Sequence, residues 1–307
     1  MIGFEEIEKK LINNFNSNKL HHGIIIAGKR GIGKASFVKN FCHKVLNNRI
    51  SDSNSLNYSS DIAIIEKLTD KKNIGIETIR QKQHFLNHTS GTSDYRFLII
   101  DAVCELTQQA SNAILKSLEE PKKNCLIILI AHQLGRVLPT IKSRCLIIKV
   151  PNFSKSQFFS ILEMNNLQID ENEKEFLSEI SENCPALAIE FSSDLIKFYD
   201  LFVNSVANKK IDNQIFKMLS DKNFSYQIVE RSLLYFLSKI LKKTNNLPIT
   251  NFNEFEINVM DQIISKFDYR HITEMFDYAN SSFDNLQKFN LDKKNNFLNV
   301  FNKILYV

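Results

Sequence analysis

The residues from Gly28 to Ser36 read G-K-R-G-I-G-K-A-S, with residue types and a spacing suited to binding phosphate. The glycines Gly28, Gly31 and Gly33 would let backbone N–H groups curl around phosphate oxygens at the start of a helix. The ammonium group of Lys34 would reach the terminal phosphates of a nucleotide. The spacing therefore predicts a phosphate loop, in which these three glycines and Lys34 are the binding residues.

The residue after Lys34 departs from this pattern. In loops of the form G-x-x-x-x-G-K-[ST], a Ser or Thr hydroxyl at this position binds Mg²⁺, whereas Ala35 has no hydroxyl. Ser36 is rotated by about 100° around the helix, so it cannot simply replace the missing group. The loop is therefore degenerate, and taken alone it is compatible with a degraded or a permissive nucleotide site.

Asp101 ends the apolar run Phe97–Ile100 and is the second candidate for metal chemistry. A carboxylate there suits the second metal-organising group of a phosphate-loop enzyme. The Glu that commonly follows, and that polarises the attacking water, is replaced by Ala102, and Glu105 lies too far along the chain to stand in for it. General base catalysis contributes typically about 10²–10⁴ in rate, or roughly 3–5 kcal/mol of barrier. Its loss predicts that the chain does not hydrolyse nucleotide.

Alternating strand and helix patterns position these residues. Continuous apolar strands separated by helices predict an α/β domain with a parallel sheet covered on both faces. The polar stretch Asn47–Ser60 is expected to be a surface loop. The predicted strands are Gly23–Ala27, Ile62–Ile65, Phe97–Ile100, Leu126–Ile130 and Leu146–Val150, and the helices between them include Lys34–Leu46, Ile76–Leu86 and Gln108–Glu119.

From Ser154 onward the sequence predicts helices alone. Ser154–Gln157 carries a capping signal, and Asp170–Glu182 predicts a further helix. Within Phe224–Lys243, apolar side chains recur on one face of a helix, as packing in a core requires. The members of this stripe are Val229, Leu233, Phe236, Leu237, Ile240 and Leu241.

Composition narrows the class of protein. The chain has 307 residues, of which 43% are hydrophobic and 24% charged, and no apolar run approaches the about 20 residues of a membrane span. The first residues, M-I-G-F-E-E, lack the basic start and apolar core of a signal peptide. We therefore expect a cytoplasmic protein with no membrane segment. The net charge of +5 suits a nucleic-acid neighbour and equally a solvated Lys-rich surface, so direct DNA contact stays open.

The five cysteines are scattered and form no C-x-x-C pair. This spacing favours neither a zinc site nor structural disulfides. The metal prediction is therefore that none is bound. The cysteines are Cys42, Cys104, Cys125, Cys145 and Cys184.

Three further motifs closely resemble the clamp-loader subunits of bacterial DNA polymerase III, which belong to the AAA+ class. They are I-D-A at Ile100–Ala102, A-S-N-A-I-L-K-S-L-E-E-P at Ala110–Pro121, and L-P-T-I-K-S-R-C at Leu138–Cys145. The resemblance is dense from His22 to Val150 and only architectural in the last third of the chain. It implies a RecA-like domain at 1–151, a helical lid domain at 152–195 and a helical collar domain for oligomerisation at 196–307.

Compared with that family, the chain has lost further parts of the ATPase site. A polar sensor residue is expected where Ala131 stands, followed here by His132. A second sensor, an arginine in the lid, is expected where Leu187 stands. Together with Ala35 and Ala102, these positions imply four lost ATPase functions.

The resemblance assigns a different role to Arg144 in the S-R-C motif. In the family this arginine reaches into the ATP site of the neighbouring subunit. Such an arginine finger stabilises charge on the transferring phosphoryl group and contributes about 10³–10⁵ in rate. Ser143 and Cys145 are expected to shape and pack the turn that carries it.

The function implied by the resemblance is that of a stator without ATPase activity of its own. The chain would join a delta subunit and several ATP-hydrolysing gamma/tau subunits in a pentameric ring that loads the β sliding clamp onto primed DNA. No cofactor is required, weak binding of ATP or ADP stays open, and the family's four-cysteine zinc insert is not expected because Cys42 alone lies nearby. The alternatives are an ATP-binding or active gamma/tau-like subunit and, less favoured, a small-molecule kinase.

Overall fold

The computed structural model describes residues 1–47, 61–67, 73–87, 95–250, 252–289 and 291–306. The surface loop predicted for Asn47–Ser60 lies, apart from its first residue, outside the described residues. The chain divides into two compact units, Met1–Gln157 and Phe158–Val307.

The first unit is built on a parallel sheet. Within the described residues the strand order is β2-β3-β4-β1-β5, and every neighbouring pair runs parallel. All residues of the adjacent strands β1 and β4 are buried, because helices cover both faces. The predicted parallel sheet is therefore confirmed. The strands are β1 (Gly23–Ala27), β2 (Ile62–Glu66), β3 (Arg96–Asp101), β4 (Cys125–Ala131) and β5 (Leu146–Lys149).

The helices of the first unit follow the predicted positions with small differences at their ends. The third helix is shorter than predicted, because a 3-10 turn at His84–Asn87 replaces its last turn. Thr107 caps the fourth helix by accepting a hydrogen bond from the backbone N–H of Ala110. The helices are α1 (Glu5–Asn16), α2 (Lys34–Asn47), α3 (Ile76–Gln83), α4 (Gln108–Glu119) and α5 (Pro139–Lys142).

The described part of the second unit is helical. Just before its first helix, Ser154 Oγ accepts from the backbone N–H of Gln157, as the capping signal predicts. The next helix begins with a capping box formed by Asp170 and Glu173. The helices are α6 (Lys155–Met164), α7 (Glu171–Ile180), α8 (Pro185–Ala207), α9 (Asn213–Ser220), α10 (Tyr226–Thr244), α11 (Glu254–Ile264), α12 (Tyr269–Phe289) and α13 (Lys293–Tyr306).

The predicted boundary between lid and collar, at residues 195 and 196, falls inside the single helix α8. Core residues from Phe158 to Ile304 belong to one hydrophobic cluster that includes both sides of this boundary. The division of the second unit into a lid and a collar therefore stays a prediction. The apolar stripe on α10 is buried as predicted, except that Leu241 is only partly buried.

An ionic network lies inside the second unit, among residues whose side chains are almost fully buried. The ammonium of Lys239 on α10 lies 2.6 Å from Oε2 of Glu256 on α11. The hydroxyl of Tyr199 on α8 donates to the other carboxylate oxygen, and the backbone N–H of Phe252 donates to Oε2 at 2.9 Å. The carboxylate thus joins α8 and α10 to its own helix, α11.

Candidate phosphate-loop site and arginine finger

The phosphate loop leaves β1 and enters α2. Its first residue is fixed to β4, because the N–H of Gly28 donates to the carbonyl of Ala131 at 3.1 Å. Gly31 and Gly33 have φ values of 80° and 84°, in the left-handed region where a side chain causes strain. A Cβ on Gly28 would lie 2.8 Å from the terminal methyl group of Ile32 and 3.1 Å from the carbonyl oxygen of Val150, so a side chain there would be crowded.

Lys34 is turned toward its own loop. The side chain is buried, with the residue only 2% exposed, and its ammonium donates to the carbonyl of Gly28 at 2.8 Å and to that of Lys29. The methyl group of Met1 lies beside the loop, 2.7 Å from where a Cβ on Gly33 would stand. A phosphate entering the loop would therefore compete with backbone carbonyls for this ammonium group.

The missing hydroxyl has no replacement on the adjacent residue. Ser36 is exposed whereas Lys34 is buried, so the two side chains lie on different sides of α2. Ala35, between them, presents only a methyl group. That Ser36 does not take over the Mg²⁺-binding role stays a prediction.

Asp101 meets His132 at the carboxyl edge of the sheet. Nε2 of His132 lies 3.6 Å from Oδ1 of Asp101, which is too long for a hydrogen bond. Within the part of the chain that the structure describes, neither this carboxylate oxygen nor Nδ1 of His132 has a hydrogen-bond partner, although both atoms are buried. The sequence predicted the position of Asp101, but it gave no signal that His132 would face it.

Burial shifts the pKa values of both groups toward their neutral forms. The pKa of His132 is lowered to about 4 by burial and then by the positive charges of Lys34 and Arg30, so its imidazole is neutral near pH 7. Burial also raises the pKa of Asp101; Glu66 adds to the rise and the nearby cations oppose it. The contact between Asp101 and His132 is therefore not an ion pair at neutral pH.

Ala102, where the sequence predicts the loss of a water-activating carboxylate, is buried and has only a methyl group. Glu105 lies in a 3-10 turn beyond it and is engaged by cations. Its carboxylate is 2.9 Å from Nζ of Lys67 and 3.6 Å from a guanidinium nitrogen of Arg30. Glu105 thus forms surface ion pairs, a role that reasoning from sequence did not assign.

Arg144 lies in the turn between α5 and β5. Its guanidinium Nη2 is 2.8 Å from Oε1 of Glu119, and Nη1 donates to the carbonyl of Thr140 at 3.0 Å. The hydroxyl of Ser143 donates to the same carbonyl and accepts a longer bond from Nη1. Burial raises the pKa of Cys145 to about 11, so this residue carries a thiol rather than a thiolate.

Leu187 lies on α8 and packs against the core of the second unit. Among the described residues, no cluster of three or more His, Cys, Asp or Glu side chains could hold a metal ion. Within the same part of the chain, no helix is long and apolar enough to cross a membrane.

The parallel sheet, the phosphate loop between β1 and α2, and the helical second unit define an AAA+ fold. Residues 3–154 match the protein family described as "DNA polymerase III, delta subunit". Through this segment the chain belongs to the clamp-loader family of DNA polymerase III subunits.

Individual relatives include more than one kind of subunit. The chain is 27% identical over 282 residues to DNA polymerase III subunit tau of Bacillus subtilis, covering 80% of this chain and 50% of the relative. It is 26% identical over 273 residues to DNA polymerase III subunit delta' of Buchnera aphidicola subsp. Schizaphis graminum, covering 80% of this chain and 76% of the relative. The chain thus spans about half the length of the tau relative and of a gamma relative.

A solved structure shows the same fold. It is a DNA polymerase III gamma subunit-related protein from Thermotoga maritima, with a TM-score of 0.54 and 20% identity, covering 98% of both chains. At this identity the likeness concerns the fold alone. Family membership therefore does not separate an ATPase subunit from a stator, and the residues of the site must do so.

Proposed function

We propose that this chain is a delta-prime-type subunit of the DNA polymerase III clamp loader. It acts as a stator in the cytoplasm: it does not hydrolyse ATP, and it donates Arg144 to the ATP site of a neighbouring subunit. Its partners are the delta and gamma/tau subunits of a pentameric ring, which loads the β sliding clamp onto primed DNA. The complex serves a DNA-directed DNA polymerase.

One observation carries the proposal. Hydrolysis needs a hydroxyl that binds Mg²⁺ and a carboxylate that activates water. At the two positions expected to supply them, the chain has Ala35 and Ala102, which carry only methyl groups. Ser36, the residue after Ala35, is exposed on a different side of α2 from Lys34. Glu105, three residues after Ala102, forms an ion pair with Lys67. Arg144, by contrast, lies at the surface, with 37% of its side chain exposed. The chain has therefore kept a group that acts on another subunit and lost those that act in its own site.

Replacing Arg144 tests this function. In a clamp loader reconstituted with Arg144→Ala, we expect the rate at the neighbouring ATP site to fall by about 10³ or more. The total ATPase activity of the complex, measured as steady-state phosphate release, then falls by the fraction that this one site contributes. Arg136→Ala is the matched control, because Arg136 is an exposed arginine in the 3-10 turn before α5. Unchanged ATPase in an intact Arg144→Ala complex contradicts the finger assignment.

A second candidate is a subunit that binds ATP, with or without cleaving it. The complete glycine pattern at Gly28, Gly31 and Gly33, followed by Lys34, favours nucleotide binding. Calorimetric titration of the purified chain with ATP, with and without Mg²⁺, separates the possibilities. An active ATPase binds Mg-ATP tightly and turns it over, and a structural nucleotide binds without turnover. The stator proposal requires that no turnover occurs.

A further inference from the structure

The guanidinium of Arg144 is already bound within its own chain. It contacts the carboxylate of Glu119 at 2.8 Å and donates to the carbonyl of Thr140 at 3.0 Å. The two charged side chains are 37% and 48% exposed, so the pair lies at the surface and can open without unfolding the chain. While this contact persists, the guanidinium cannot bind a second molecule with the same nitrogens.

Glu119 is the last residue of α4, where the helix itself disfavours a carboxylate. The carbonyl end of a helix carries partial negative charge, which repels an anionic side chain. The backbone nearby is fixed, because Nε2 of His22 lies 2.8 Å from the carbonyl oxygen of Leu118. A Cβ on Gly23 would lie 2.9 Å from Leu118 and 3.1 Å from the carbonyl oxygen of Arg144. β1 thus holds the end of α4 beside the turn that carries the arginine.

We propose that Glu119 docks Arg144, and that the guanidinium must leave Glu119 to bind phosphate in the site of a neighbouring subunit. This inference rests on the proposed function of Arg144 as an arginine finger. A carboxylate and a phosphate both offer paired oxygens to the planar guanidinium, so either one satisfies its hydrogen bonds and charge. Glu119 is therefore a positioning residue that competes with the neighbour's nucleotide for Arg144.

The competition predicts a change in the ATP concentration that half-saturates the neighbouring site. A partly exposed ion pair shifts such an equilibrium by about two- to fivefold. Docking on Glu119 occupies Arg144 in only part of the molecules. It therefore raises the half-saturating ATP concentration about two- to fivefold and leaves the rate at saturating ATP nearly unchanged. High salt screens the pair and weakens the effect.

The experiment compares Glu119→Gln with Glu120→Gln in the reconstituted clamp loader. Glu120 is the next residue, is exposed, and loses the same charge on substitution. We expect Glu119→Gln to lower the half-saturating ATP concentration about two- to fivefold at low ionic strength, and by less in about 0.5 M salt. Glu120→Gln should match the unsubstituted chain at both salt concentrations.

A double variant shows whether Glu119 acts through Arg144. If it does, Glu119→Gln/Arg144→Ala behaves like Arg144→Ala alone, since the coupling disappears with the arginine. If Arg144→Ala lowers the ATPase rate but Glu119→Gln leaves the half-saturating concentration unchanged or raises it, docking is overturned and the finger stands. If Arg144→Ala has no effect, the proposed function and this inference fail together. Assembly of each variant is checked by size-exclusion chromatography.

Discussion

His132 and Asp101 occupy the edge of the sheet where an ATPase of this fold organises its metal ion. The pKa of His132 is lowered to about 4 by burial, and that of Asp101 is raised for the same reason. A neutral imidazole beside Asp101 adds no charge to this edge of the sheet.

The lowered pKa of His132 predicts how stability depends on pH. An imidazole in the unfolded chain titrates near 6.5, so between pH 6.5 and about 4 the unfolded state binds more protons than the folded state. The free energy of unfolding therefore decreases as pH falls through this range, by up to about 3 kcal/mol from His132. Asp101 acts in the opposite direction, because its raised pKa favours the folded state at low pH.

We expect His132→Gln to flatten this pH dependence, measured by urea unfolding at several pH values between 4 and 7. His84→Gln is the control, because His84 is exposed in the 3-10 turn after α3. A His132→Gln variant that keeps the full slope would show that folding does not lower the pKa of His132. Asp101→Asn should have the reverse effect and steepen the slope.

At the scale of single residues, the sequence predicts groups of residues that are adjacent along the chain, and it misses contacts between residues that are far apart in sequence. Gly28 to Lys34 could be identified because a phosphate loop is contiguous along the chain. The contact of Glu119 with Arg144 could not, because it depends on β1 bringing the end of α4 beside a distant turn. The approach of His132 to Asp101 likewise depends on the register between β3 and β4.

At the scale of elements, apolar runs predicted the five strands, and helical patterns predicted some of the helices, such as α2, α4 and α10. The network of Lys239 and Glu256 could not be predicted in this way. A charged residue in a helical pattern is normally assigned to solvent. Lys239 is nevertheless buried, because Glu256 on α11 and the ring of Tyr235 surround its ammonium group. Tyr235 lies one helical turn before Lys239 on α10, but only the packing of α10 against α11 brings Glu256 to the ammonium group.

We expect Glu256→Gln to lower the free energy of unfolding by about 3–5 kcal/mol, since it leaves the ammonium of Lys239 buried without a countercharge. Asp261→Asn is a matched control, because Asp261 pairs with Lys243 across the same two helices but is 57% exposed. Its loss should cost less than about 1 kcal/mol. Equal effects in the two variants, measured by urea unfolding, would contradict the account of the buried network.

At the scale of the whole molecule, the two units differ in charge. Residues 1–157 contain 23 Lys and Arg against 13 Asp and Glu, a net charge of +10, whereas residues 158–307 contain 16 against 21, a net charge of −5. The total of +5 conceals this asymmetry. If the chain contacts nucleic acid, electrostatics favour the first unit for that contact, which is also the unit that carries Arg144.

The two units also have separate cores, which predicts separate unfolding transitions. Among the described residues, one hydrophobic cluster consists of residues of the first unit, including Leu129, and another consists of residues of the second unit, such as Phe202. A unit with its own core can unfold cooperatively by itself, so the whole chain need not follow a two-state transition.

Calorimetry of two variants tests this organisation. Leu129→Ala removes a fully buried side chain from the first core and should cost about 2–5 kcal/mol there, whereas Glu256→Gln acts in the second unit. For units of about this size, each kcal/mol shifts the midpoint by roughly 2–4 °C. We expect each variant to lower one transition by roughly 10 °C and to leave the other in place. A single transition lowered by both variants would mean that the two units unfold as one, despite their separate cores.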